Sequence, residues 1–136
     1  MNRERIEALY GDFNKALLRL RESLQEDLSK GSIVVDGTIQ RFEFTFELAW
    51  KLARSILLYN GIEAEAPRTV IKEAFKVKLI ADGYEWIDML EDRNKTSHIY
   101  DEKQALKIYE KIKAQHFQMM ERFYQDAGNW LQKMND

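Results

Sequence analysis

Apolar residues recur at steps of three and four along nearly the whole chain, and no segment alternates convincingly with period two. The first spacing places apolar side chains on one face of a helix, whereas alternation would mark a half-buried strand. The pattern therefore predicts an all-α protein. Ile6, Tyr10, Phe13, Leu17, Leu20, Leu24 and Leu28 form one stripe, predicting a helix over Asn2 to Ser29 that ends at Lys30-Gly31-Ser32. A second helix is expected from about Asp36, a plausible N-cap, to Asn60-Gly61, where glycine fits the position just past a helix end.

The main stripe of this second helix is Ile39, Phe42, Phe46, Ala49, Ala53 and Ile56, and Phe44, Leu48 and Leu52 point elsewhere. A helix apolar on more than one side is either central in a bundle or used at an interface between subunits. Pro67 suits the first helical position of a short helix, Pro67 to Phe75, followed by a connection over Lys78 to Gly83. A fourth helix begins near Tyr84 and carries Trp86, Met89 and Leu90 into the polar run Glu91 to Ser97. The last starts at Asp101, where Asp101-Glu102-Lys103-Gln104 reads as a capping box. It continues through Ala105, Ile108, Ile112, His116, Met119, Phe123, Ala127 and Trp130. The predicted fold is an antiparallel up-and-down bundle of four long helices plus a short one, forming a single domain over residues 1–136.

Composition agrees, with one proline and six glycines to interrupt helices. The absence of cysteine excludes disulfides, thiolate metal sites and a cysteine nucleophile. A charged N-terminal MNRERIEALY and no apolar run of membrane-spanning length make a cytoplasmic protein the expectation. Charge is nearly balanced, with 21 basic and 23 acidic residues, a net of −2. Non-specific grip on nucleic acid usually rests on a basic surplus, so any RNA contact here has to be local or assisted by a partner.

Chemistry concentrates in one stretch, Glu91-Asp-Arg93-Asn94-Lys95-Thr96-Ser97-His98-Ile99-Tyr100-Asp101. Apolar residues nearly vanish there, so core packing alone does not shape it. On a continuous helix Asn94 and His98 share a face, but the cap at Asp101 implies that the helix ends before Tyr100. The turn can then swing His98 and Tyr100 towards Arg93, within one chain or across a dimer. Such a set permits phosphodiester cleavage without a metal. Histidine exchanges protons near neutral pH, arginine grips phosphate with parallel hydrogen bonds, and Asn94 can hold the histidine tautomer or donate to phosphate. The bland alternative is an arginine and a histidine that cap carbonyls or pair with Asp92 and Asp101.

The segment resembles the HEPN motif, an arginine followed by a polar residue and, with four residues between it and the arginine, a histidine; with Tyr100 it is similar to the Arg-x4-His-x-Tyr form of HepT-type toxins. Ile39-Gln-Arg-Phe-Glu-Phe-Thr-Phe-Glu-Leu-Ala-Trp-Lys51 is similar to the signature helix of the nucleotidyltransferase substrate-binding family. Pro67 to Ala74 and Trp86 to Arg93 look like its later blocks, so the resemblance runs from about residue 36 to 113. It implies an all-α bundle that forms a homodimer and works beside a separate minimal nucleotidyltransferase. In HepT-like members Arg93 and His98 map to the catalytic pair of a metal-independent ribonuclease toxin, with no cofactor, and Asn94 to the polar residue beside the arginine. Tyr100 maps to the acceptor of AMP from the partner, which thereby acts as antitoxin. The resemblance leaves open an alternative, a non-catalytic subunit that presents substrate to the nucleotidyltransferase.

Among the remaining residues, His116 lies on an apolar stripe and is expected in the core or an interface. Glu43 and Glu47, four apart, are expected to face solvent or to pair with Arg41, Lys51 or Arg54. Trp50, Trp86 and Trp130 fit core or dimer packing better than base stacking, and Arg68 with Lys72 forms a small basic face. No Glu-x-x-His motif for a di-metal bundle exists.

Overall fold

The computed structural model describes residues 2–99 and 101–134. Among these every regular element is helical. In chain order they are α1 (Arg3–Leu24), α2 (Ser32–Tyr59), α3 (Pro67–Lys76), α4 (Gly83–Lys95), α5 (Glu102–Lys111) and α6 (Phe117–Lys133). A turn of π-helix, Ile112–His116, joins α5 to α6 into one rod, which gives the expected four long helices and one short one. Helix α2 is central and packs against α1, α3, α4, α5 and α6. Phe42, Phe46, Ala49, Ala53 and Ile56 of its main stripe are buried, as is Leu52 from the second set. Phe44 points outward instead, 64% exposed. Around α2, Trp86 of α4 meets Phe46 at 6.1 Å and Phe123 edge-on at 5.5 Å, and Phe13 of α1 meets Phe123 at 5.6 Å between centroids.

Local chemistry sets most boundaries. Asn2 caps α1 by accepting from the Arg5 N–H at 2.8 Å, and Asp101 caps α5 by accepting from that of Gln104 at 2.8 Å. Gly61, at φ 84°, ends α2: its N–H reaches the Leu58 carbonyl at 3.0 Å and the Ile62 N–H reaches that of Leu57 at 2.9 Å.

Three expected boundaries or phases are corrected. Helix α1 stops at Leu24 rather than Ser29. The Asp27 carboxylate accepts from the Ser29 N–H at 2.9 Å and starts a 3-10 turn, Leu28–Lys30, that leaves Leu28 exposed. Helix α2 begins at Ser32, straight after Gly31, because burial of Val34 and Val35 favours an earlier start; Asp36 lies exposed within the helix and caps nothing. In the last rod the π turn inserts extra backbone and rotates the stripe. Met120 and Leu131 are buried where Met119 and Trp130 were expected, and the latter two are only half-buried.

Among the described residues no helix is long and apolar enough to cross a membrane.

Candidate functional site

Helix α4 starts on the Asp82 cap, which accepts from the Glu85 N–H at 3.1 Å, and buries Trp86, Met89 and Leu90 against the core. Its last two turns then present consecutive residues to different neighbours, because each step around a helix is about 100°. Asp92 turns inward and is 1% exposed. It lies 2.6 Å from Nε2 of buried His116 and 2.7 Å from the Lys111 ammonium, which also reaches Asp88 at 3.0 Å. His116 sits in the π turn with its ring stacked on Phe42 at 5.5 Å, and its buried Nδ1 has no hydrogen-bond partner among the described residues. Burial alone opposes ionisation of Asp92, yet the hydrogen bonds and charges of His116 and Lys111 outweigh it and hold the carboxyl below its ordinary pKa. Lys111 is correspondingly raised: burial works against it, and the bonds from Asp92 and Asp88 prevail. The ligand atoms of Asp88, Asp92 and His116 fall within 4.8 Å of one another, a grouping the sequence reading did not find. Lys111 supplies the positive charge between those carboxylates.

Arg93, the next residue, turns towards α2 and is half-buried. Its guanidinium donates to Glu47 of α2 and, at 3.2 Å, to the Asn94 side-chain oxygen. Glu47 also accepts from the Trp50 indole N–H at 2.9 Å, and the Arg54 guanidinium lies over that indole at 5.0 Å. One turn earlier on α2, Glu43 lies 2.8 Å from the Thr96 hydroxyl, whose single proton it shares with the Arg93 carbonyl at 2.6 Å. Helix α4 gives way there to a 3-10 turn, Thr96–His98, and the exposed His98 ends it. Among the described residues nothing hydrogen-bonds its imidazole.

Two sequence expectations change at this point. Glu47 pairs with Lys51 at 4.0 Å as expected, but the two carboxylates also do more: Glu47 holds Arg93 and Glu43 holds Thr96. The available signal was their position beside the buried stripe residues Phe42 and Phe46, which turns both carboxylates towards a neighbouring helix. Asn94 does not share a helical face with His98, because α4 ends at Lys95, and its amide oxygen serves Arg93. The bland pairing of Arg93 and His98 with Asp92 and Asp101 is likewise replaced, Asp92 being taken by His116 and Lys111. The structure thus joins Arg93 to Asn94 and sets His98 on the adjoining turn. Tyr100, the expected AMP acceptor, lies outside the described residues.

The fold is thus a helical bundle that carries an arginine–asparagine pair at the end of α4 and an exposed histidine on the turn that follows. Residues 9–129 match the family described as nucleotidyltransferase substrate binding protein like. The chain belongs to that family, as its resemblance to the HepT-like HEPN proteins implied. Over 84 residues it is 32% identical to a Haemophilus influenzae protein described as a probable ribonuclease HepT; the match covers 58% of each chain. It resembles a Thermus thermophilus crystal structure at TM-score 0.73 and 31% identity, over 89% of this chain and 99% of that one. A Haemophilus influenzae structure, described as revealing the fold of a substrate binding domain of a nucleotidyltransferase, matches at TM-score 0.64 and 23% identity. That match covers 93% of this chain and 99% of the other and bears on the fold.

Proposed function

We propose that this chain is a metal-independent endoribonuclease that works beside a minimal nucleotidyltransferase, with Arg93, Asn94 and His98 as its catalytic residues. The observation that carries the reading is the placement of Arg93. Glu47 and Asn94 together take two of its five N–H donors and leave the others to meet a phosphate, and the exposed His98 lies on the turn that follows α4. In the reaction the 2′-oxygen of the RNA attacks phosphorus as its proton leaves. The bond from phosphorus to the 5′-oxygen breaks, and that oxygen is protonated, which yields a 2′,3′-cyclic phosphate and a 5′-hydroxyl. His98 acts at one of the two proton transfers, and Arg93 stabilises the charge that grows on the phosphoryl oxygens.

Neutralisation follows from the same site. When the partner transfers AMP from ATP to the oxygen of Tyr100, two residues past His98 in the sequence, the α–β phosphoanhydride bond breaks, pyrophosphate and the hydroxyl proton leave, and the added group puts bulk and negative charge where the RNA phosphate binds. A homodimer brings two such turns into one assembly. The alternative reading, a non-catalytic subunit presenting substrate to the nucleotidyltransferase, is favoured by the family description and by the carboxylate of Glu47 on Arg93, which offsets part of the charge an RNA phosphate needs.

Expression in a bacterial host separates the two. The ribonuclease reading expects growth arrest by the chain alone, relief by an Arg93→Ala or His98→Ala change, and relief by the nucleotidyltransferase together with the mass of AMP on Tyr100. A wild-type chain that is soluble, unmodified and harmless would favour the substrate-presenting subunit.

A further inference from the structure

Helices α2 and α3 end in the same backbone motif, but with different residues at its strained position. After α2 that residue is Gly61. After α3 it is Lys78, at φ 64°, the one positive-φ residue other than glycine among those described. Its N–H reaches the Phe75 carbonyl at 3.1 Å and the following Leu79 N–H reaches that of Ala74 at 2.8 Å, the hydrogen bonds of a glycine-type helix stop. A lysine is strained in this left-handed conformation and glycine is not, so the stop by itself does not account for a lysine. Residues held in such conformations cluster at ligand sites.

The Lys78 side chain borders a groove of about 430 Å³, within the size range of small-ligand sites. The groove is also lined by Asn60, Asp126, Asn129, Trp130 and Lys133. Its charge is uneven: Asp126 is paired with Arg122 at 3.2 Å, whereas Lys78 and Lys133 have no ion-pair partner among the described residues. Trp50 and Trp86 are buried, 8% and 3% exposed, but Trp130 is only half-buried and offers an indole to the groove. Asn60 donates to the Ile56 carbonyl at 2.7 Å, which leaves its own amide oxygen to accept from a ligand. The floor is anchored by Arg3, which donates to the Met134 carbonyl at 2.5 Å and ties the end of α6 to α1. The groove is distinct from the Arg93 turn. Gly83 packs on Phe75 near Lys78, and Arg93 lies ten residues, about 15 Å, further along α4.

We propose that this groove binds a nucleoside phosphate unit, either a free mononucleotide or part of an RNA strand. An aromatic face for a base, two amides for its polar edge and two unpaired ammonium groups for the phosphate are the complement such a unit requires. The inference does not rest on the ribonuclease reading, since it uses none of the residues of the motif.

The test titrates the full chain with AMP, with a 2′-O-methyl hexa-adenylate that cannot be cleaved through a 2′-oxygen, and with pyrophosphate. Calorimetry and tryptophan fluorescence report binding. Saturable binding of AMP with a change in fluorescence identifies the free nucleotide as ligand, and binding of the oligomer alone identifies the strand. In either case Lys78→Gly, Lys133→Glu and Trp130→Leu should each weaken it by about tenfold. Lys78→Gly is the discriminating variant, because removing the backbone strain should leave the Tm equal or higher while binding falls. Absence of binding by both nucleotides, affinities unchanged in the three variants, or pyrophosphate binding as well as AMP without a fluorescence response would each overturn the proposal.

Discussion

Asp92 and Arg93 are neighbours on one helix, and each is held by an ion pair, but the two pairs have opposite characters. Asp92 is sealed between His116 and Lys111, whereas Arg93 meets Glu47 with both side chains 29% exposed. A buried charge that loses its partner keeps its desolvation cost, while a half-exposed one recovers water. The first pair is therefore a structural pin joining α4 to the π turn, and the second orients the Arg93 guanidinium without carrying much stability. Together they fix the end of α4 from two sides and leave the following turn, with His98, open to solvent.

The largest loss of stability is expected at the pin. Asp92→Ala leaves buried His116 without its carboxylate and Lys111 with Asp88 alone, and should cost about 3–5 kcal/mol in a urea titration, a large part of a typical domain's stability. A loss below about 1 kcal/mol would show that the network contributes little.

The same pin sets a pH dependence. Because the folded Asp92 carboxyl is held below its ordinary pKa, its stabilisation is fully present above the ordinary carboxylate range and is lost as pH falls through the lower, folded value. Lys111 has the opposite sign: raised in the fold, it contributes below the ordinary lysine pKa and the contribution disappears as pH climbs through the higher, folded value. Thermal unfolding across pH should show a plateau that falls at both ends, and Asp92→Asn should flatten the acid limb. An unchanged acid limb in that variant would assign the limb to other carboxylates.

At the positioning pair the effects separate. Glu47→Gln should change stability by less than about 1 kcal/mol. It should lower RNA cleavage by on the order of tenfold or more, because the guanidinium loses the carboxylate that orients it. Equal losses of folding and of cleavage would place Glu47 with the structural residues instead.

The sequence pattern made the helices, the stop at Gly61 and the cap at Asp101 legible, since each depends on residues close together in the chain, while it left α2 as either a central or an interface helix. What it did not reveal depends on distant partners or on the phase of the backbone. Asp92 reads as one more charge in a polar run, and only His116, 24 residues later, explains its burial. Glu47 and Arg93 are 46 residues apart, and Glu43 and Thr96 are 53 apart, so no local spacing announces their contacts. The π turn has no residue signature here, and the continuous stripe from Ile108 to Trp130 consequently pointed to Met119 and Trp130 rather than to Met120 and Leu131.

Replacing His98 is expected to be the smallest perturbation in structural terms and, on the proposed ribonuclease reading, the largest in chemical terms. Exposed and without a hydrogen bond among the described residues, it should change stability by no more than about 0.5 kcal/mol when replaced by alanine. The most direct measurement is RNA cleavage by the purified chain, its Tyr100 shown bare by intact mass, in EDTA and beside His98→Ala. The expected result is a 2′,3′-cyclic phosphate product from the wild type and none from a variant that unfolds at the same urea concentration. Wild-type chain that leaves RNA intact, or cleavage that survives in His98→Ala, would contradict it.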